Sequence, residues 1–178
     1  SGPYGKIAET SLREALGRIN HDFVHETPAH VLSLTNLTEN GCAYSSAEIT
    51  HYAALAHEFG LSVHLDGARL ANALVSTGTS PAEMTWRAGV DVLTFGLTKT
   101  GAIGCEIIML FGEAKQKYGE LKARAKRSGH MPPKMRFLAA QARALLTDGL
   151  WLDLAAGANR IARDVANVLC GQSEVTLS

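Results

Sequence analysis

The sequence has no excess of charge of either sign: 17 lysines and arginines stand against 17 aspartates and glutamates. A nucleic-acid binder would show a basic surplus or stripe, so the balance argues against that class. The densest basic run, KARAKRSGHMPPKMR, is broken by turn residues and suits a solvated helix end, with a small anionic ligand as the other option. Cysteine is scarce: Cys42, Cys105 and Cys170 lie far apart and form no CxxC pair. That disfavours a disulfide framework or a structural zinc and fits free thiols in a reducing, cytoplasmic compartment. No apolar run has membrane-spanning length, and no signal peptide opens the chain. Also missing are a GxSxG nucleophile elbow and any GxxxxGK or GxGxxG phosphate loop; the GAIG after Lys99 has neither the spacing nor the following helix. A serine hydrolase is therefore disfavoured.

What is present is a chain of 178 residues, 46% apolar and 19% charged, enough for one domain or one domain plus part of another. It opens on SGPYGKI without a starter methionine and stops in SEVTLS, which reads as a strand just begun. Both ends are expected to be cut, making the chain a fragment.

Helical and strand patterns alternate. Ser11 with Glu14 forms a capping-box pattern that predicts a helix over about 12–19. HVLSLTN reads as a strand, followed by the loop LTENGCAY. Ser45 and Glu48 predict a second helix ended by Gly60, LSVHLD a buried strand, and GARLANALVSTG a short helix. Ser80, Pro81 and Glu83 mark a third start. VDVLTFG and CEIIMLF read as strands on either side of a polar turn that carries Lys99. Beyond Gly112 the pattern is helical: EAKQKYGELKARAKR exposed, MRFLAAQARALLTDG more buried, then a long amphipathic run to Cys170. Strands separated by helices predict an α/β domain with a mostly parallel sheet. Pro132 and Pro133, close to Gly129, mark a hinge that divides the chain into residues 1–128 and 129–178.

Ligands of open α/β sheets bind at the carboxyl ends of the strands, so the residues there matter most. SVHLD ends in Asp66, with Arg69 three residues on; VLTFG leads into Thr98 and Lys99. Each has an ordinary alternative. Asp66 could cap the following helix, Arg69 could be a surface charge, and Lys99 a solvated loop amine. Among the histidines, His21 and His25 have a spacing that a metal can use, but no third ligand is near and no metal is expected. His51 and His57 face different ways on one helix, and His64 reads as a hydrogen-bonded core residue. An amine nucleophile with a carboxylate partner suggests pyridoxal phosphate: lysine forms a Schiff base with it, and an acid keeps its ring nitrogen protonated.

The stretch from Leu61 to Phe111, with the motifs HLDGARLANA and FGLTKTG, resembles the low-specificity L-threonine aldolases and phenylserine aldolases, and GHMPPKMRFLAAQARALLTDGLWL is similar to their connector toward the small domain. The resemblance implies the fold-type-I architecture of aspartate aminotransferase: a large domain followed by helices that lead into a truncated small domain. It implies retro-aldol cleavage of threonine or a related β-hydroxy-α-amino acid to glycine and an aldehyde, in a homodimer or homotetramer with neither nucleic acid nor membrane as partner. Lys99 and Asp66 would be catalytic and bind the cofactor. Thr98 would place its hydroxyl near the phosphate, Arg69 would bind the substrate carboxylate, and Arg136 would reach a cofactor, that of a neighbouring subunit included. The family's N-terminal portion, with its phosphate loop and cofactor-stacking residue, has no counterpart here. Alternatives are another fold-type-I activity, β-eliminating lyase or aminotransferase, and a non-catalytic fragment.

Overall fold

The computed structural model describes residues 2–20, 24, 25 and 27–171. Four strands, β1 (Val31–Thr35), β2 (Ser62–Gly67), β3 (Val92–Gly96) and β4 (Glu106–Leu110), form one sheet in the order 1-2-3-4. The first three are parallel and β4 runs antiparallel to β3. The helices are α1 (Glu9–Gly17), α2 (Ser46–Glu58), α3 (Leu70–Thr77), α4 (Pro81–Met84), α5 (Tyr118–Arg127), α6 (Arg136–Leu146) and α7 (Leu150–Cys170). SEVTLS and His21 lie outside the described residues.

Successive right-handed crossovers that advance in one direction put their helices on one face of a sheet. Burial follows that rule. Leu32, Leu34, Val63, Leu65, Leu93 and Phe95 point to one face and are buried with Ile49, Ala53, Leu70 and Leu74 of the crossover helices. The opposite face carries Ser33, His64, Asp66, Thr94, Glu106 and Ile108, all exposed or half-buried. Polar residues at alternate positions of β2 thus all stand on that open face.

Local signals explain most of the elements. Capping boxes start α2 at Ser45 with Glu48 and α4 at Ser80 with Glu83. Gly60 follows α2 at φ +73°, and Gly78 ends α3 at φ +66°, conformations that favour glycine. The first helix differs from expectation. It begins at Glu9 after Ala8, so Ser11 lies inside it and caps nothing. Glu9 sits 2.7 Å from Arg13 one turn on and 2.9 Å from His51 of α2, while Leu12 and Leu16 are buried. Those contacts outweigh a local capping preference.

The helical C-terminal part is bound to the same core. Trp151 of α7 is buried edge-on against Phe95, ring centroids 5.2 Å apart, and Asn159 bonds Asn72 of α3 twice, at 2.9 and 3.1 Å. α5 buries no residue, and α6 buries Ala142 and Leu145. No helix among the described residues is long and apolar enough to cross a membrane.

Candidate functional site

At the carboxyl end of β2, Asp66 does not cap α3. That helix has Arg69 at its N-cap position, without a side-chain cap bond. Asp66 Oδ1 instead accepts the Ala68 N–H at 2.9 Å, closing a turn over the strand end. Its second oxygen has no hydrogen-bond partner among the described residues. One pleat below on the same face, His64 joins three strands: Nδ1 pairs with Ser33 Oγ at 2.8 Å and Nε2 with Thr94 Oγ1 at 2.9 Å. Thr94 is the register partner of Asp66, so this ladder braces the strand that presents the carboxylate.

At the end of β3 the chain enters a tight turn, Thr98–Thr100, that carries Lys99. Leu97 anchors it, its N–H on the Cys105 carbonyl at 3.0 Å and its carbonyl accepting from Thr100 and Ala102 at 3.0 and 3.1 Å. Gly101, at φ +126°, closes the turn where an L side chain would be strained. From α6, the Gln141 side-chain oxygen accepts the Ile103 N–H at 2.8 Å. The turn is therefore held on several sides, yet Lys99 itself is exposed and has no partner among the described residues. A tethered, unpaired amine on a fixed turn can act as a nucleophile.

Thr98 is engaged within its own chain. Its hydroxyl donates to Glu106 Oε1 at 3.1 Å and accepts the Cys105 N–H at 3.4 Å, so its single hydrogen is spent within the chain. Arg69 is neither a lone surface charge nor open: Nη1 and Nη2 meet Glu39 Oε1 and Oε2 at 3.2 and 3.3 Å. Arg136 is exposed, its guanidinium lying 4.6 Å from the centroid of the Phe137 ring, and no described contact joins it to Asp66, Arg69, Thr98 or Lys99. Asp66, Arg69, Thr98 and Lys99 thus follow the carboxyl ends of the neighbouring strands β2 and β3, while Arg136 stands at the start of α6.

Glu106 and Glu39 contact these candidate residues, and the sequence did not single them out. The register of β4 opposite β3 would have found Glu106, which pairs with Gly96. No local signal marks Glu39, which lies on the loop after β1. Among the described residues no group of three or more His, Cys, Asp or Glu could hold a metal. Larger cavities, of about 480 and 550 Å³, surround His57 and Asp91 at the amino ends of the strands, opposite these groups. Chemistry rather than cavity size locates the site.

The beta-eliminating lyase family model matches residues 1–173. The low specificity L-threonine aldolase of Pseudomonas sp. (strain NCIMB 10558) is 38% identical over 165 residues, covering 93% of this chain and 46% of that protein. The low specificity L-threonine aldolase of Pseudomonas aeruginosa is 39% identical over 173 residues, covering 97% and 49%. Among solved structures, the threonine aldolase of Leishmania major superposes with a TM-score of 0.85 at 27% identity, over 96% of this chain and 48% of that one. The chain spans about half the length of the curated relatives it matches. Its α/β architecture is that of the fold-type-I pyridoxal-phosphate enzymes.

Proposed function

Because the chain belongs to the beta-eliminating lyase family, we propose that it is the lysine-bearing portion of a pyridoxal-phosphate-dependent carbon–carbon lyase of the threonine aldolase type. Its substrate would be L-threonine, L-allo-threonine or another β-hydroxy-α-amino acid such as phenylserine, split into glycine and an aldehyde. The observation that carries this reading is the placement of Asp66 and Lys99: neighbouring parallel strands lead to a carboxylate with one oxygen unpartnered among the described residues and to an exposed amine without a partner among them. The named activities of the Pseudomonas and Leishmania relatives support it.

The donor set suits pyridoxal phosphate, which needs an amine to carry its aldehyde and an acid beside its ring nitrogen. When bound, it supplies the electron sink for the pair released as Cα–Cβ breaks. Lys99 would hold it through the Nζ amine and yield that place to the substrate amine. Asp66 would keep a proton on the ring nitrogen with Oδ2, while the Ala68 N–H holds Oδ1 still. Arg69 would grip the α-carboxylate with two parallel N–H bonds, orienting the substrate so that Cα–Cβ is the bond that breaks. Thr98 would have to release Glu106 before donating to a phosphate. Arg136, exposed and with no described contact to these groups, would serve a cofactor site, that of a neighbouring subunit in a dimer or tetramer included. A cytoplasmic setting and a boundary after residue 128 belong to the same reading.

The test is to add pyridoxal phosphate, reduce with borohydride, map the modified lysine by mass spectrometry and assay glycine release from threonine. Label on Lys99 that is lost in Lys99→Ala, together with glycine, is expected. A 2-oxo acid and ammonia in place of glycine would favour β-elimination, the activity in the family model's own description. Neither label nor product would make this chain a non-catalytic portion.

A further inference from the structure

Arg69, the group assigned above to the substrate α-carboxylate, already holds a carboxylate of its own chain. Glu39 meets it end-on, oxygen to terminal nitrogen on both sides, at 3.2 and 3.3 Å. This is a bidentate geometry in which a guanidinium takes a carboxylate, and Glu39 occupies both terminal nitrogens that an amino acid's carboxylate would use in the same way. The placement is not that of a loose loop. Glu39 follows Thr38, which is buried and fixed by its hydroxyl on the Tyr4 carbonyl at 2.9 Å and by the Cys42 N–H on that hydroxyl at 3.2 Å. Gly41 closes the same turn, its N–H on the Thr38 carbonyl at 2.9 Å and φ at +78°. Behind it, fully buried Asn36 bonds both the N–H and the carbonyl of Tyr44. The turn thus presents Glu39 from a rigid base, while the Glu39 side chain itself is 77% exposed and that of Arg69 only 29%.

We propose that Glu39 is a built-in competitor for the α-carboxylate seat on Arg69, displaced when an amino acid binds, and that it sets the affinity of that seat. The inference rests on the assignment of Arg69 to the substrate carboxylate. A second carboxylate can reach Arg69 only by displacing Glu39 or by crowding two negative charges onto one cation, and either costs affinity. Removing the charge of Glu39 therefore tightens carboxylate binding. Because the pair is exposed to water, the gain is modest, roughly two- to five-fold, as expected of a solvent-accessible ion pair. A merely structural role would act in the opposite direction.

The experiment titrates the intact chain with glycine and with L-threonine, following the Arg69 Nε–H resonance in ¹⁵N-labelled protein, for wild type, Glu39→Gln and Glu39→Asp. 1-Amino-2-propanol, which lacks the carboxylate, serves as the control ligand. Half-saturation by both amino acids at roughly two- to five-fold lower concentration in Glu39→Gln, with Glu39→Asp near wild type, is the expected result. Equal or weaker binding in Glu39→Gln overturns the proposal and leaves Arg69 as carboxylate binder intact. If the resonance ignores both amino acids in every variant, or follows the amino alcohol equally, the assignment of Arg69 fails and this proposal with it.

Discussion

Gly96 and Glu106 face each other across the antiparallel β3–β4 pair, and the Glu106 carboxylate fills the space that a side chain at position 96 would need. A Cβ built on Gly96 would lie 2.8 Å from Glu106 Oε2 and 3.0 Å from the Ala68 Cα. The glycine lets a carboxylate of β4 lie over the ends of β2 and β3 and reach Thr98, the residue before Lys99. Gly96→Ala should cost about 1–3 kcal/mol, the range of an overpacked site, because the Ala68 backbone cannot yield as the Glu106 tip can. The urea midpoint measures it; an unchanged midpoint would mean that the strands part freely.

Thr98→Val should loosen the Lys99 turn. It removes the donor to Glu106 and the acceptor for the Cys105 N–H, each bond worth about 0.5–1.5 kcal/mol net. Hydrogen exchange at the Cys105 amide should quicken in Thr98→Val and stay near wild type in Thr98→Ser, which keeps the hydroxyl.

Asp66→Asn and Lys99→Ala should separate binding from folding. Asparagine keeps the Oδ1 acceptor for the Ala68 N–H while losing the charge and turning the second oxygen into an NH2 donor, and Lys99 touches no described partner. Unfolding midpoints should stay close to wild type in both. Borohydride-trapped pyridoxal phosphate should vanish in Lys99→Ala and fall at least ten-fold in Asp66→Asn, a loss of about 1.4 kcal/mol or more. A large drop in either midpoint would assign these residues to the fold.

Acid should weaken the junction between the N-terminal segment and α2. Burial pushes the Glu48 carboxyl up, but the Lys6 ammonium at 2.7 Å and the Ser45 N–H and hydroxyl outweigh it and hold it below 4.5. A carboxyl lowered in the folded state stabilises fully above 4.5, and that contribution fades as pH falls through the lower folded value. The stability difference between wild type and Glu48→Gln should therefore be largest at neutral pH and shrink below about pH 4.5. A difference that does not change with pH would remove the ion pair from the account.

Trp151→Ala should destabilise by about 3–5 kcal/mol, the cost of deleting a buried aromatic. Trp151 packs edge-on against Phe95, so the loss would also register in the sheet. A cost under about 1 kcal/mol would mean that α7 and the sheet do not share a core.

Much of this was present in the sequence because it depends on neighbours within a few residues. The capping boxes at Ser45 and Ser80, the glycine stops at 60 and 78 and the alternation in SVHLD are set by bonds and side-chain directions one turn or one pleat long. The same alternation that buries Val63 and Leu65 turns His64 and Asp66 to the other face, so the candidate carboxylate could be named before any contact was known. The first helix starts earlier than its local pattern predicts, and it packs through Leu12 and Leu16 into a core built by residues far along the chain. The partners of the site belong to that second kind. Glu39 on Arg69, Glu106 over Gly96 and His64 between Ser33 and Thr94 join residues on different strands or loops. Which pairs meet is settled by strand order and register, and these follow from how the sheet buries its apolar face as a whole. The residue types capable of the chemistry were thus set by the sequence alone, and only the tertiary structure decided which of them are free and which are already engaged.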